Sequence, residues 1–344
     1  MATKLEWGDI SRMIRWGIIG CGNVTEVKSG PALQEADNSA LVAVMRRTGH
    51  LARDYAERHG VPKWYYDARA LIDDAEVDAV YVATPPASHK QYTLMAAAAG
   101  KPVYVEKPMA LNYGECREMI AACREAGVPL FVAYYRRALP RFLKVKELIR
   151  SGAIGDVRSM SITYYEPAAP NVLDPSALPW RVRPELSGGG LFVDLASHML
   201  DFVDDALGHI CDVRGAASNQ ARLYPAEDIV TATFRFESGA HGVGTWCFSA
   251  FQHVDRTEIV GTKGRIAYVT FDSSPIVLET TDGRTEFPIQ NPPHIQQPLI
   301  QLIVDELHGC GKSPSTGETA ARTSLVMDQM LAGSPPSQPL SSSQ

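Results

Sequence analysis

Short apolar runs alternate with helix-like segments through the first 136 residues of the chain. The runs are IRWGIIG, ALVAVMRR, VDAVYVATPP, KPVYVEKP and VPLFVAYY, and helical spacing follows most of them, as in LARDYAERHG. Continuous apolar runs are typical of strands that are buried on both faces. Strands that alternate with helices form βαβ units. The pattern therefore predicts a parallel sheet, and a Rossmann-like α/β domain over residues 1–136.

A different pattern begins after residue 136. A helical segment, PRFLKVKELIRSG, precedes stretches in which apolar and polar residues alternate, such as VRSMSITYYEP, RTEIVGTKGRIAYVT and PIVLETTDGRTEFPI. Alternation between glycine-bearing turns predicts an antiparallel sheet with one covered face. PLIQLIVDELHG and TAARTSLVMDQML read as closing helices. We therefore predict a second, α+β domain over 137–332, an N-terminal extension over 1–13 and a flexible, Pro- and Ser-rich tail over 333–344.

Composition narrows the classes of function. The chain has 344 residues, which suits two domains, and a net charge of −6, which argues against nucleic acid or an anionic membrane as a partner. No apolar run approaches the roughly 18 residues that cross a bilayer, and the N-terminus lacks the apolar core of a signal peptide. The six cysteines show no CxxC spacing, and no motif suggests a metal site. We expect a cytoplasmic protein with reduced thiols.

The first strand ends in Gly20-Cys21-Gly22-Asn23-Val24-Thr25. Gly20 suits a tight turn, and Gly22 lets the backbone approach a pyrophosphate at the next helix N-terminus; Asn23 and Val24 complete the candidate cofactor turn. Thr25 stands where a third glycine packs helix against strand, so we expect these two elements to lie slightly further apart. A plain βα turn is the alternative, but the position after the first strand favours nucleotide binding.

A second cofactor signal follows the next strand. Rossmann domains that bind NAD place Asp or Glu about 20 residues after the glycines, where it holds the ribose 2′-hydroxyl. Here Arg46 and Arg47 occupy that place, and a guanidinium pairs with a 2′-phosphate. The sequence therefore favours NADP over NAD, and two solvated surface arginines are the alternative.

Two further clusters carry candidate chemistry. Glu106, Lys107 and Pro108 follow a predicted parallel strand, at the sheet edge where ligands bind in open α/β folds. A lysine there can hold a substrate oxygen, although a surface charge is the commoner role. Asp194 and His198 follow three consecutive glycines and share one face if the segment is helical. They form a candidate acid–base pair, and a histidine packed in the core is the alternative.

These motifs together resemble the Gfo/Idh/MocA oxidoreductase family, the family of glucose–fructose oxidoreductase and inositol dehydrogenase. The resemblance rests on GCG, ATPPASH, EKP, PWR, GGGLFVDLASHMLD and EIVGTKGRI, which run in order from Gly20 to Ile266. It implies a Rossmann domain followed by an open, mainly antiparallel sheet whose exposed face makes homodimers or homotetramers. It also implies nicotinamide-dependent oxidation of an alcohol, or reduction of a carbonyl, on a sugar, a polyol or a related small molecule.

The resemblance also implies residue roles. Lys107 contacts the reacting oxygen and the nicotinamide side, His198 moves the hydroxyl proton, and Asp194 orients the substrate or the imidazole. The Lys107–Pro108 bond is often cis in the family. The cofactor set further includes Thr84, Pro85, His89 and Glu106, where a packing or capping role is the alternative for His89. Trp180 and Arg181 border the substrate pocket, with Tyr135 and Arg136 as further candidates, and core packing is the alternative for Trp180 and Tyr135.

Two rival interpretations stay open at this stage. One is an enzyme of the same fold that uses NAD or acts on a non-sugar such as a dihydrodiol or a ketone. The other is a non-catalytic regulator that senses a dinucleotide. The joint presence of Lys107, Asp194 and His198 favours an enzyme. The sequence leaves open the substrate, the physiological direction and the oligomer size.

Overall fold

Residues 12–333 are described by a computed structural model of the chain, in two compact units. The first unit contains the chain through Ala110, together with Gly114–Leu139 and Pro292–Ala321. The second contains Leu111–Tyr113, Pro140–Asn291 and the chain from Arg322 onward. Residues 1–11 of the predicted extension and 334–344 of the predicted tail lie outside the described residues.

The first unit is built on a six-stranded parallel sheet, as predicted. Its strands are β1 Ile14–Ile19, β2 Ser39–Met45, β3 Lys63–Tyr65, β4 Ala79–Val82, β5 Val103–Val105 and β6 Leu130–Val132, in the order β3-β2-β1-β4-β5-β6. Every residue of β4, β5 and β6 is buried, which explains their continuous apolar sequence. From β1 the chain first adds β2 and β3 on one side, and it then crosses over to add β4, β5 and β6 on the other side. The topological switch point therefore lies between β1 and β4.

The second unit contains an eight-stranded mixed sheet that is mainly antiparallel. Its strands are β7 Val157–Tyr165, β8 Ile210–Ser218, β9 Ile229–Phe236, β10 His241–Cys247, β11 Val254–Gly261, β12 Gly264–Tyr268, β13 Ile276–Thr280 and β14 Gly283–Phe287. Their order is β14-β13-β12-β11-β7-β10-β9-β8. Buried and exposed residues alternate along β9 and β10, so the sheet has one covered and one open face, as predicted.

Two features of this sheet differ from the sequence prediction. β7 and β10 pair in parallel, although the pattern predicted antiparallel neighbours. β8 was not predicted at all, because its sequence ICDVRGAAS mixes charged and small residues. A bulge between Cys211 and Arg214 also breaks its alternation, and Asp212 adopts a positive φ of 49° there. Gly215 is required in this strand because a Cβ would lie 2.5 Å from Cα of Met330.

Both units contain helices in addition to their sheets. They are α1 Gly30–Glu35, α2 Gly49–His59, α3 Ala68–Ile72, α4 His89–Ala98, α5 Tyr113–Ala126, α6 Pro140–Arg150, α7 Pro184–Ser187, α8 Leu191–Leu207, α9 Gln297–Leu307 and α10 Gly317–Ala332. A π-helical turn, Thr25–Ser29, precedes α1. Within residues 12–333, none of the helices combines the length and the apolar character that crossing a membrane requires.

The compact units divide the chain differently from the predicted domain boundary at residue 136. The segment Pro292–Ala321, which we assigned to the second domain from sequence, belongs to the first unit. There α9 packs against α1, and the Ser315 hydroxyl donates to the carbonyl of Val132 at 2.7 Å. The alternating strands of residues 157–287 therefore form an insertion between two parts of the first unit. A linear reading cannot recognise this return of the chain.

Candidate active site

The glycine turn after β1 is closed at Gly20 and open at Gly22. Gly20 has a φ of 95°, and its amide donates to the carbonyl of Met45 at 2.8 Å. A Cβ at Gly20 would lie 2.7 Å from Cγ2 of Thr84, so only glycine fits both the conformation and the space. At Gly22 the nearest atom to a Cβ would be 3.8 Å away. The backbone at Gly22 is therefore open to a pyrophosphate, as nucleotide binding requires.

Thr25 stabilises the glycine turn through hydrogen bonds to its backbone. Its side chain is fully buried, and its hydroxyl and amide both donate to the carbonyl of Gly22, at 2.8 and 2.9 Å. The close contact that a third glycine makes in the usual motif occurs at Gly30, where a Cβ would overlap the Tyr55 hydroxyl and the Thr25 carbonyl. The threonine substitution is thus accommodated by a π-helical turn and by a glycine five residues later.

The other predicted cofactor residues around this turn offer accessible surface. Asn23 is exposed and Val24 is half-buried. At the end of β4, Thr84 is half-buried and Pro85 is exposed, and the Thr84 hydroxyl accepts from Ser88 at 2.8 Å. These four residues follow the carboxyl ends of β1 and β4, which flank the switch point of the sheet.

Arg46 and Arg47 directly follow β2, and both are exposed. The amide of Arg46 donates to the carbonyl of Tyr65 at 3.2 Å. Burial raises the pKa of the Cys21 thiol to about 11, and the positive charge of Arg46 opposes this rise. Both arginines are accessible at the carboxyl end of β2.

A cluster of charges lies beside the same turn. The Glu26 carboxylate accepts from Arg58 at 2.8 and 2.9 Å and pairs with His59 at 2.8 Å. The hydrogen bonds from Arg58 are the largest cause that lowers the pKa of Glu26 from 4.5 to about 2, with His59 as a further cause. His59 stacks on the Tyr55 ring, with 4.1 Å between the centroids. The cluster fixes the first helical turn to the end of α2.

Replacing Glu26 with Gln is expected to lower the free energy of unfolding by roughly 1 kcal/mol at pH 7, after allowance for solvent screening. Because the folded pKa of about 2 is below the ordinary 4.5, this stabilisation is complete above pH 4.5 and is lost as the pH falls toward 2. Urea unfolding of both proteins between neutral pH and about pH 3 measures it.

Glu57→Gln is the matched control, because Glu57 pairs with Arg53 and both side chains are 63% exposed. We expect it to change the unfolding free energy by less than about 0.5 kcal/mol. A Glu26→Gln difference that stays constant at every pH would contradict the assigned pKa.

His89 is fully buried and binds backbone carbonyls. Its Nε2 lies 2.7 Å from the carbonyl oxygen of Thr84, and its Nδ1 lies 3.1 and 3.2 Å from those of Pro108 and Met109. Burial is the main cause that lowers the pKa of this imidazole, and the hydrogen bonds oppose it. The side chain exposes no surface to a cofactor. In this structure His89 therefore joins the loop after β4 to the loop after β5, which is the packing alternative.

Glu106 is also buried, behind the strand end rather than at its surface. One carboxylate oxygen accepts from the Tyr81 hydroxyl and from the Gln296 amide, both at 2.7 Å. The other oxygen accepts from the backbone N–H of Lys107 at 3.1 Å. Burial, followed by the charge of Glu106, raises the pKa of Tyr81 well above its usual value, so Tyr81 remains a donor. The carboxylate orients the lysine segment and shows no surface for direct cofactor contact.

Lys107 is half-buried at the carboxyl end of β5, and the Lys107–Pro108 bond is cis. Its position in the first unit matches the ligand-binding edge of the parallel sheet. Asp194 and His198 belong to the second unit.

Asp194 and His198 lie one turn apart on α8, and both are largely buried. Glycines shape the start of this helix: Gly188 has a φ of 85°, and a Cβ there would lie 2.9 Å from Cα of Leu111. The Gly190 amide donates to the Glu227 carboxylate at 2.8 Å, and burial raises the pKa of Glu227. The sequence did not identify Glu227, because it lies 37 residues beyond the amide that it caps.

Arg181 pairs with Asp194. Its Nε donates to the carboxylate at 3.0 Å, and its guanidinium lies 4.4 Å from the centroid of the Trp180 ring. The arginine is 48% exposed and the carboxylate 12% exposed, so the pair reaches from the helix to the surface. On the other side, the His198 ring packs edge-on against Phe271, with 6.0 Å between the centroids. The structure therefore brings four predicted substrate-site residues, Trp180, Arg181, Asp194 and His198, into one region of the second unit.

Tyr135 and Arg136, the further substrate candidates, form part of a 3₁₀ turn, Tyr135–Ala138, in the first unit. The Arg136 guanidinium lies 5.1 Å from the centroid of the Tyr135 ring. Both residues are at most 5% exposed. They offer a substrate little surface in this conformation, which favours the packing interpretation.

The parallel sheet and the open turn at Gly22 define a dinucleotide-binding class of protein, and comparisons with known proteins identify the class further. Residues 14–134 match an oxidoreductase family with an NAD-binding Rossmann fold, and residues 142–267 match the GFO/IDH/MocA C-terminal domain. The chain belongs to the Gfo/Idh/MocA family and is an NAD(P)-dependent oxidoreductase that acts on CH–OH groups.

Individual relatives agree with this assignment. The chain is 40% identical to a protein of Formosa agariphila named as an oxidoreductase, over 92% of this chain and 97% of that protein. It is 32% identical to myo-inositol 2-dehydrogenase of Thermotoga maritima, over 78% and 79% of the two chains. The fold is similar to the crystal structure of aldose-aldose oxidoreductase from Caulobacter crescentus, complexed with glycerol, with a TM-score of 0.83. The two sequences are 25% identical, and the match covers 94% of this chain and 97% of that chain. The predicted family and fold class are therefore confirmed.

Proposed function

We propose that the protein transfers hydride between NADP and a secondary alcohol or carbonyl of a sugar, a polyol or a related small molecule. One observation carries the proposal. Lys107 follows the carboxyl end of β5 in the same parallel sheet whose first turn is open at Gly22, so one sheet edge offers both a candidate pyrophosphate site and a candidate oxygen-binding cation. The resemblance to an inositol dehydrogenase and an aldose oxidoreductase supports the substrate class.

The residues present fit a nicotinamide dinucleotide. Gly20 and Gly22 provide the tight, open turn, Asn23 and Val24 flank it, and Thr84 and Pro85 lie beside the switch point. The bound dinucleotide would supply or accept the hydride. The side chains of this protein would carry out the proton transfer and stabilise the developing charge.

We assign the proton and charge chemistry to three residues. His198 takes the hydroxyl proton during oxidation and returns it during reduction. The Lys107 ammonium stabilises the developing alkoxide through a charge-assisted hydrogen bond. Asp194 orients the substrate or the imidazole, and its bond to Arg181 keeps the carboxylate in one direction. Trp180 and Arg181 would then contact substrate groups away from the reacting carbon.

The preference for NADP rests on the end of β2. Arg46 and Arg47 are exposed there, and residues 46–50 contain no carboxylate that would bind a ribose hydroxyl or repel a phosphate. A guanidinium pairs with phosphate through two parallel hydrogen bonds. NAD is the alternative cofactor.

Arg46→Asp is expected to weaken NADPH binding by about tenfold or more, because a charge-assisted hydrogen bond is replaced by repulsion. NADH binding should stay equal or improve, since the new carboxylate can accept from the ribose 2′-hydroxyl. Fluorescence titration with both nucleotides measures the two affinities. Arg53→Asp on the exposed side of α2 is the control, and unchanged NADPH affinity in Arg46→Asp would overturn the cofactor assignment.

Turnover on a panel of sugars, polyols, dihydrodiols and ketones tests the reaction itself. We expect activity with at least one sugar or polyol and loss of that activity in Lys107→Ala. Nucleotide binding without turnover on any member of the panel would instead favour the dinucleotide-sensing regulator.

We also propose that copies of the chain associate through the open face of the eight-stranded sheet, as the family resemblance implies. The alternate residues of β9 and β10 that face outward include Thr231, Thr233 and Val243, which are uncharged. Light scattering should report a dimer or a tetramer, and a monomer at micromolar concentration would refute this proposal.

A further inference from the structure

Gln296 is a fully buried polar residue immediately before α9, and it joins three parts of the first unit. Its backbone amide donates to the carbonyl of Lys28 in the turn that precedes α1, at 3.2 Å. Its side-chain oxygen accepts from the Tyr104 hydroxyl at 2.7 Å. Its side-chain nitrogen donates to the Glu106 carboxylate, also at 2.7 Å. No part of the side chain reaches solvent, so its contacts are internal.

The Glu106 carboxylate needs such partners. A buried carboxylate is costly unless its oxygens accept hydrogen bonds. Glu106 accepts hydrogen bonds from the Tyr81 hydroxyl and the Gln296 amide on one oxygen, and from the Lys107 backbone N–H on the other. Together these three bonds use both oxygens and fix the orientation of the carboxylate. The third bond links the carboxylate directly to the backbone of Lys107.

From this chain of contacts we infer that Gln296 is a positioning residue for Lys107. It acts through Glu106 and sets the direction in which the lysine leaves the strand end. The inference rests on the proposed function in one respect, because Lys107 is the residue to which we assign alkoxide stabilisation. No sequence motif predicts this role of Gln296, since Gln296 is 190 residues from Glu106 along the chain.

An amide suits the chemistry of this position. Asn and Gln side chains offer both an acceptor for Tyr104 and an N–H donor for a carboxylate in one planar, uncharged group at any pH. Glutamate would place a second negative charge against Glu106, and leucine would leave both Tyr104 and Glu106 without this partner. Asparagine is one methylene shorter, so it would not span the two bonds.

The test compares Gln296→Leu with a matched control on the same helix, Gln301→Leu. Gln301 accepts from the Asp37 amide at 2.8 Å and donates to Asp305 at 3.0 Å, away from Glu106. Competitive acetylation, followed by peptide mass spectrometry, measures the reactivity of Lys107 against pH, with Lys144 as an internal reference. Steady-state kinetics on the best substrate of the panel gives kcat and KM separately.

We expect Gln296→Leu to shift the pH profile of Lys107 acetylation and to lower kcat by about tenfold to a hundredfold, because a small displacement of a catalytic group is costly. KM and NADPH affinity should change much less. Gln301→Leu should leave all four quantities near their starting values. An unchanged Lys107 profile, or equal effects in the two variants, would overturn the inference.

Tyr104→Phe keeps the test decisive if Gln296→Leu does not fold. It removes only the hydroxyl that donates to Gln296, and we expect a smaller shift in the same direction. Acetylation can be measured without turnover, so the two claims can fail separately. If the wild-type protein is inactive on the whole panel but Gln296→Leu shifts the Lys107 profile, the proposed function is refuted and the inference is supported. If the wild-type protein is active and Gln296→Leu changes neither the Lys107 profile nor the kinetics, the inference is refuted and the proposed function is supported.

Discussion

Lys107→Met should lower kcat by about a thousandfold while the protein still binds NADPH. Methionine has nearly the same length and volume as lysine but carries no charge and no N–H donor. Removal of a group that stabilises developing negative charge costs about 10²–10³ in rate, and loss of a shared proton-transfer role adds to this. The turn at Gly20 and Gly22 is unaffected, so affinity for the nucleotide should change little. Nicotinamide absorbance measures the rate, and fluorescence titration measures the affinity.

Two control variants separate charge from geometry at this position. Lys107→Arg keeps the positive charge but presents it as a planar fork, so we expect only partial recovery of kcat. Lys90→Met removes a lysine that pairs with Glu115 and Glu118 on the surface of the first unit. It should retain near-normal kcat. A Lys107→Met protein that keeps more than about a tenth of the wild-type kcat would remove the lysine from the mechanism.

His198→Asn is expected to lower kcat by about a hundredfold to ten-thousandfold, the usual contribution of a positioned acid–base group. In the oxidation direction the imidazole must be neutral to take the hydroxyl proton. The wild-type rate should therefore fall at acidic pH, where the imidazole is protonated, and this acidic limb should be missing in the variant. The rate of alcohol oxidation against pH, at saturating nucleotide, measures both effects.

The control for this prediction is His209→Asn, because the His209 side chain is 50% exposed and lies just before β8. Its kcat and its acidic limb should match those of the wild type. If His198→Asn retains the acidic limb, another group supplies the base. His198 would then have a structural role, which includes its packing against Phe271.

The site is a mixture of predicted and unpredicted residues. Short-range patterns point to Gly20, Gly22, Lys107, Asp194 and His198, and the roles of these residues in binding and catalysis stay predictions. Glu106 and His89 belong to the same motifs, yet the structure assigns their side chains to internal hydrogen bonds. A motif records that a residue type is needed and does not record which way its side chain points.

The partners of these motif residues were beyond sequence reasoning. Gln296 contacts Glu106 across 190 positions, and Glu227 contacts Gly190 across 37 positions. Neither stands in a periodic pattern or a short motif. Both contacts arise because a carboxylate held away from water needs hydrogen-bond donors, and those donors can come from any part of the chain.

Local periodicity and the backbone freedom of glycine were sufficient to predict the parallel sheet and the tight glycine turn. Three features became visible only in the folded chain: Pro292–Ala321 returns to the first unit, β7 and β10 run parallel, and Gln296 lies against Glu106. The difference comes from the range over which the interactions act. Local patterns fix φ and ψ and bury a face, whereas the choice of partner for a buried polar group is settled only when the whole chain has packed.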